Sequence, residues 1–504
     1  MVVRGASLLA ATRIILNLTS IVSVFLLARL LAPDDFGLVA IATAISTILM
    51  FMTEMSLSQS LINLRDPSSD HYNTAFTLNF ARGIILSVVL AAAAIPIAEL
   101  YDDVRLAPIL LVIAASVFVS SFGNPKMVIF NRNLDLRPES VINVLERLVS
   151  LVVAVAIAFF FRSYWALIIS SAVGQILRVV LSYVYIPFSP RIRFNHWRKL
   201  LSFSVWLTLT QAVHAVNSRS VPLIIGAFLP TASVGQYSVA SRAVSMPIQE
   251  SLGALQSILF PAFTLLRDDI SRLAGAYLRS QSIICMVTVP ACFALVAVAE
   301  PLFADLLLGS QWRPAVPLIQ AIALGSAMSS IQNISPLALA VGKPNELFYR
   351  SLRSITVQVL LIFGCLWAAP LVGVSQLAGV GAALALSLSI NSVLNLWLIK
   401  KLAGIAVRQQ LTSIALRPII AATLMLGAMM FANQLLNLSH FGALAQIGLS
   451  GAIGAIILVL AATGLWALSG FGPGAEREII DLAKRAFSRF RNRRSKDTEE
   501  VISS

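Results

Sequence analysis

Apolar residues fall in long, nearly unbroken runs at about 6–31, 37–62, 74–99, 106–123, 141–161, 164–187, 200–228, 236–265, 276–299, 315–340, 350–370, 376–399, 415–436 and 441–468. Each is close to the ~20 residues a helix needs to cross a bilayer. The runs lack the short alternating segments of membrane β-strands and are too continuously apolar for water-facing helices. They predict an all-α polytopic membrane protein of about 14 transmembrane helices. The first run carries Arg13 and lacks a small-residue cleavage site, so it is expected to stay as the first helix rather than leave as a signal peptide.

Composition agrees. Of 504 residues, 58% are hydrophobic and 12% charged, with a mean hydropathy of +0.85. Water-soluble domains carry about a quarter charged residues, so an aqueous fold is excluded. Cys285, Cys292 and Cys365 sit inside apolar runs with neither disulfide nor zinc spacing. No metal or cofactor is expected, and no Walker A pattern offers an ATP site.

The formal charge of +14 would suggest a nucleic-acid partner in a soluble protein. Here it reads as topology. Assigned to alternate sides of the membrane, the Lys and Arg of the loops, the run ends and the tail number 27 on the N-terminal side, Arg350 and Arg353 among them, and 3 on the other, namely Arg105, Arg162 and Arg313. The positive-inside rule then places both termini in the cytoplasm of a bacterial inner-membrane protein, with an even number of spans and no nucleic-acid partner. The outer loops are all short, which argues against enzymes that keep catalytic machinery in a large periplasmic loop.

An internal repeat is visible at three places. Leu31-Ala32-Pro33-Asp34-Asp35-Phe36-Gly37 with Ala42 matches Leu229-Pro230-Thr231-Ala232-Ser233-Val234-Gly235 with Ala240. Pro108 with Ile113-Ala114 matches Pro317 with Ile322-Ala323, and Gly123-Asn124-Pro125 with Phe130 and Arg132 matches Gly342-Lys343-Pro344 with Phe348 and Arg350. Kept in order, these matches predict two parallel six-helix lobes at 1–187 and 188–402, two extra helices in 403–468, and a basic cytoplasmic tail from 469 to 504. Within the tail, 475–490 has the pattern of an amphipathic basic helix suited to anionic lipid.

Seven Arg lie within or at the ends of the runs. An intramembrane Arg is costly and faces the bundle or water. Arg13 and Glu54 each sit about 12 Å in from the cytoplasmic ends of their helices and could pair. Arg82, Arg147 and Arg178 lie at similar depths, where snorkelling to the headgroups is the competing explanation. Arg219 and Arg242 lie in the outer half, with Glu250 nearer the centre. The expectation is a lower and an upper cationic tier around a shared cavity suited to a phosphate or another anion. Arg13, Arg219, Arg242, Arg82 and Arg178 are the candidate binding residues, with Glu54, Glu250, His214 and Asn217 in support. His214 could carry a coupling proton, against a structural role. The pairs Asp34-Asp35, Asp102-Asp103 and Asp268-Asp269 lie at helix junctions and are expected to cap helices rather than bind metal.

The stretch Leu27-Ala28-Arg29-Leu30-Leu31-Ala32-Pro33-Asp34-Asp35-Phe36-Gly37-Leu38 resembles the first loop of Wzx-type oligosaccharide flippases, in the multidrug/oligosaccharidyl-lipid/polysaccharide exporter superfamily. Leu57 to Ile62, Gly235 to Ala240, Phe260-Pro261 and Leu308 to Trp312 are similar to later signatures of that family, with Ser56 where Gly is usual. The resemblance implies a V-shaped bundle that carries an undecaprenyl-diphosphate-linked oligosaccharide to the outer leaflet for exopolysaccharide, capsule or lipopolysaccharide assembly. Its partners would be membrane lipids and the polymerase and chain-length regulator of the same pathway. A drug exporter of the same superfamily would need intramembrane acids, and here Arg outnumbers Glu. A polysaccharide polymerase or polyprenyl glycosyltransferase would need a long outer loop.

Overall fold

Continuous apolar sequence offers the backbone no water, so each segment satisfies its N–H and C=O groups within itself, as helix. The computed structural model describes residues 2–468 apart from Ser56, Arg65, Leu134, His196, 199–204 and 437–441. The expected tail helix at 475–490 and the Ser56 departure lie outside the described residues.

The helices run α1 (Val2–Leu30), α2 (Pro33–Met52), α3 (Leu57–Asn63), α4 (Ser69–Leu100), α5 (Leu106–Ser120), α6 (Val128–Arg132), α7 (Arg137–Phe161), α8 (Trp165–Tyr185) and α9 (Val205–Phe228). They continue as α10 (Thr231–Leu265), α11 (Ile270–Ala299), α12 (Val316–Ser330), α13 (Ile334–Ala340), α14 (Pro344–Ala368), α15 (Gln376–Ala403), α16 (Val407–Gln410), α17 (Leu416–Leu435) and α18 (Ala443–Leu468). Among the described residues, eleven helical segments are long and apolar enough to cross a membrane, or twelve if the bent α5–α6 pair counts as one span. The expected figure was about fourteen. Helices α9 and α10 are long, at 24 and 35 residues, but polar positions such as Gln211, Asn217, Arg219, Arg242 and Gln249 interrupt their apolar character.

The chain divides into two compact units. Unit 1 is 1–242 with 307–315, and unit 2 is 243–306 with 316–504. The division therefore falls inside α10 and not in the basic segment 188–199, where a lobe boundary was expected. Two features explain this. Helix α9 packs along α2. The basic segment is pinned to α4, because Arg191 N–H donates to Asn73 Oδ1 at 3.0 Å and Arg193 N–H to Thr77 Oγ1 at 3.1 Å. The helices of 403–468, expected as an appendage, belong to unit 2: α17 packs on α11 and α18, and Gly454 accommodates Met429.

The first repeat match has a direct structural counterpart within unit 1. The α1–α2 and α9–α10 turns touch each other reciprocally. A Cβ on Gly37 would stand 1.9 Å from the Thr231 carbonyl oxygen, and one on Gly235 would stand 1.8 Å from that of Pro33. Pro33 and Thr231 begin their helices at corresponding places in the two copies, so each glycine meets the equivalent of its partner's neighbour. Beside this contact, side chains of the 307–315 segment satisfy the end of α1. Gln311 Nε2 donates to the Ala28 and Leu31 carbonyls at 2.8 and 3.1 Å, Trp312 Nε1 donates to Ala28 O at 2.8 Å, and Arg29 Nε donates to Leu307 O at 3.0 Å. The Trp312 ring, 1% exposed, meets Phe36 edge-on.

The second repeat match falls on two helices of 15 residues each, α5 and α12. The third does not hold. Gly123-Asn124-Pro125 lies at the 62° bend between α5 and α6, where Asn124 Nδ2 caps the carbonyls of Ser182 and Ile186. Gly342-Lys343-Pro344 lies one element later, between α13 and α14. Topology instead pairs α7 with α14, both of 25 residues with Pro in the first turn, Pro138 and Pro344. This register aligns Arg147 with Arg353, each nine residues beyond its proline.

Because the atoms nearest the missing Cβ atoms are backbone carbonyls, the glycine contact cannot yield by a rotamer change. Gly37→Ala and Gly235→Ala should each cost at least ~1–3 kcal/mol, read as a fall of several degrees in melting temperature in detergent. Gly427→Ala, where a Cβ would meet nothing within 4 Å, should leave it unchanged; equal melting in all three would remove the constraint.

Candidate functional site

Three arginines from three helices of unit 1 share one electrostatic neighbourhood. The charges of Arg219 on α9 and Arg147 on α7 both act on Arg242 of α10, and Arg219 also acts on Tyr237, whose hydroxyl is hydrogen-bonded to Ser241. All three arginines are exposed. Counted from the helix ends remote from the basic loops, Arg219, Arg242 and Arg147 lie about 14, 17 and 21 Å in; in a ~30 Å hydrocarbon layer the first two fall in the middle third and Arg147 just beyond it. Arg147 Nη2 donates to Ser20 Oγ on α1 at 2.7 Å, which holds its stem against the neighbouring helix. Three like charges at this depth cannot face lipid without prohibitive cost, so their common surroundings are polar.

Neighbouring acids are placed elsewhere. Glu146, adjacent to Arg147, accepts from Arg178 Nε at 2.7 Å, and Arg178 Nη2 also bonds Asn143 Oδ1. Glu54 pairs with Arg82 at 3.2 Å, and Arg82 further donates to Met50 O and Thr53 Oγ1. Arg82 and Arg178 are thereby built into helix packing. The acid expected opposite Arg13 thus forms its ion pair with Arg82, while Arg13 is exposed on α1. Asn217 shares α9 with Arg219, and its buried Oδ1 has no hydrogen-bond partner among the described residues. The side chains of His214 and Glu250 lie outside the described part of the structure.

Arg147 was not in the binding set, although it was placed at the same depth as Arg82 and Arg178. Its partner helices, which depth alone does not reveal, bring it beside Arg242. Arg350 and Arg353 were assigned to a loop because the apolar run begins at 350. Helix α14 starts at Pro344 and carries both inside it.

The aspartates at the junctions act as caps. Asp35 Oδ2 accepts from Ala32 N–H at 3.0 Å, Asp103 Oδ1 from Arg105 N–H at 3.0 Å and Asp269 Oδ1 from Arg272 N–H at 3.1 Å. Among the described residues, no group of three or more His, Cys, Asp or Glu has the placement to hold a metal ion.

A bundle of long apolar helices with arginines gathered at mid-helix depth has the build of a multi-pass membrane transport protein. The chain belongs to the polysaccharide biosynthesis protein family, whose profile matches residues 26–317. It is 26% identical to the succinoglycan biosynthesis transport protein ExoT of Rhizobium meliloti over 349 residues, 68% of this chain and 70% of that one. It is 22% identical to the lipopolysaccharide biosynthesis protein WzxC of Escherichia coli over 423 residues, covering 82% and 84% of the two chains. The solved structure of the lipid II flippase MurJ in its inward closed conformation shares the fold, with a TM-score of 0.71 at 13% identity over 92% of this chain and 99% of that one. The resemblance read from the loops is borne out at the level of the family.

Outside the membrane-spanning helices, the Arg105 side chain holds the Asp103 carboxylate below its ordinary value of 3.8. A depressed folded-state value stabilises above pH 3.8, and the contribution disappears as pH falls through that lower value. Asp103→Asn should therefore melt lower than the parent at pH 7, by less than about 1 kcal/mol for this half-exposed pair. The difference should close below pH 4; a difference independent of pH would show that the ion pair contributes nothing.

Proposed function

We propose that the protein translocates a polyprenyl-diphosphate-linked oligosaccharide across the bacterial inner membrane by alternating access, for exopolysaccharide, capsule or lipopolysaccharide assembly. One observation carries this reading: Arg219 on α9 and Arg147 on α7 both lie within electrostatic reach of Arg242 on α10, away from the helix ends. A diphosphate carries its charge on several oxygens and can accept from all three guanidinium groups, each bond being charge-assisted. The same cluster repels a cationic drug.

The names of ExoT and WzxC, relatives in succinoglycan and lipopolysaccharide biosynthesis, support the substrate class. Arg13 extends the cationic surface along α1, and Tyr237 and Asn217 supply polar neighbours on α10 and α9. Arg82 and Arg178, neutralised by Glu54 and Glu146, keep α2, α4, α7 and α8 in register. The finer reading has fourteen spans in two six-helix repeats plus two helices, counting α9 and α10 as spans whose hydropathy is lowered by the substrate-facing residues. Both termini are cytoplasmic, the carrier is undecaprenyl diphosphate, and the polymerase and chain-length regulator of the pathway take the product onward.

Arg219→Ala, Arg242→Ala and Arg147→Ala, inserted normally in the membrane, should each reduce polymer export at least tenfold, the equivalent of ~1.4 kcal/mol. Lipid-linked repeat units should accumulate facing the cytoplasm. Export at the parental level in all three would refute the cationic site.

A further inference from the structure

Unit 2 contains a second group of cations, on helices that carry none of the arginines just discussed. Arg350 and Arg353 stand one turn apart on α14, about 9 and 14 Å from its start. Arg353 Nη2 donates to Asn395 Oδ1 of α15 at 2.8 Å, while its Nε is buried without a partner among the described residues. Tyr277 of α11, 1% exposed, buries its hydroxyl near the backbone N–H of Asn333 with no acceptor for its own proton among the described residues. The charge of Arg350 acts on Tyr277, and that of Arg353 acts on Arg350. At the break between α12 and α13, Asn333 gives its backbone N–H to Gln281 Oε1 at 3.2 Å and leaves its side-chain Nδ2 without a partner. Leu273, Ile331, Ile334, Leu337 and Leu347 form the apolar surroundings.

These groups share one property: Arg353 Nε and Asn333 Nδ2 are donors, the Tyr277 hydroxyl can donate, and all lack an acceptor. A buried donor without an acceptor is unfavourable, and several at one place imply a common acceptor. No carboxylate supplies it. Glu346, one turn before Arg350, bonds Lys401 Nζ at 2.6 Å, and among the described residues neither Arg350 nor Arg353 forms an ion pair. The repeat register makes the position meaningful, since Arg353 corresponds to Arg147. An anion that offers oxygens in several directions suits donors that come from three separate elements beside two guanidinium charges.

We propose that Tyr277, Asn333, Arg350 and Arg353 form a binding site for a phosphate group, within unit 2 and independent of the cargo assigned to unit 1. A tetrahedral phosphate presents oxygens to guanidinium, carboxamide and hydroxyl donors at once, which a planar carboxylate cannot. A depth of 9–14 Å from the basic end of α14 is within reach of a lipid headgroup and of a free phosphate.

The test uses the full-length protein, purified in neutral detergent and stripped of lipid. It is titrated with dioleoyl phosphatidate, with dioleoylglycerol as the phosphate-free analogue, and with inorganic phosphate, reading lipid adducts by native mass spectrometry and melting temperature for the free ion. Phosphatidate, inorganic phosphate or both should bind the parent at least tenfold more tightly than the Arg350→Gln/Arg353→Gln variant, and dioleoylglycerol should not discriminate. Preference for phosphatidate assigns a lipid headgroup and preference for inorganic phosphate assigns the free ion; either supports the site. Tyr277→Phe removes one hydroxyl without disturbing the core, and should weaken binding severalfold while melting no lower than the parent. If the double variant fails to fold, Tyr277→Phe decides alone. No phosphate binding by the parent, or equal affinity in the parent and the folded variants, overturns the proposal.

Discussion

Two glycines set the geometry of unit 1. At Gly37 and Gly235 the turns that begin α2 and α10 approach so closely that backbone carbonyls fill the space where a side chain would start. The contact is isologous in form, as at a two-fold dimer interface, but both partners belong to one chain and lie 198 positions apart. Such symmetry follows when one ancestral turn is copied: whatever lets the first copy accept the second also lets the second accept the first. The packing of α9 along α2 continues from this point, where Gly226 admits Ile41 and Tyr101. Tyr101 Oη extends the link by donating to the Leu223 carbonyl.

Around this frame, the distribution of charge is governed by the few acids. Glu54, Glu146 and Glu346 each hold a basic group in place between helices or at their ends. Cations bound in this way stabilise packing and contribute little net field. Two groups of arginines lie outside these three pairs, Arg147 with Arg219 and Arg242 in unit 1, and Arg350 with Arg353 in unit 2. Intramembrane charge thus separates into a class held by these acids and a class that is not, and the separation follows from which helix carries the acid.

Much of the fold was legible because the bilayer allows so few solutions. Long apolar runs become helices, and the Leu31–Gly37 and Leu229–Gly235 copies announced a contact that the structure contains. Where reading failed, tertiary contact was the missing quantity. Gly123-Pro125 and Gly342-Pro344 look alike because both interrupt helices, yet one is a bend and the other a turn between helices. The depth of Arg147 along α7 was legible, whereas its proximity to Arg242 depends on the crossing of α7 and α10. Glu54 was set opposite Arg13 on depth alone, although α4 brings Arg82 to it. Arg350 and Arg353 were hidden by the convention that an apolar run marks the ends of a helix; α14 begins six residues earlier, on polar sequence with Pro in its first turn.

The hydrogen bonds that finish α1 have a consequence for how the protein is made. Helix α1 leaves the ribosome well before the 307–315 segment, and the carbonyls of Ala28 and Leu31 find their donors in Gln311 and Trp312, 280 to 284 positions later. Until that segment is synthesised, the end of α1 has no lasting partner there and the Phe36 ring has no Trp312 to meet. Contacts of such long sequence separation form late and slowly. The end of α1 is therefore among the later parts of unit 1 to be fixed in place.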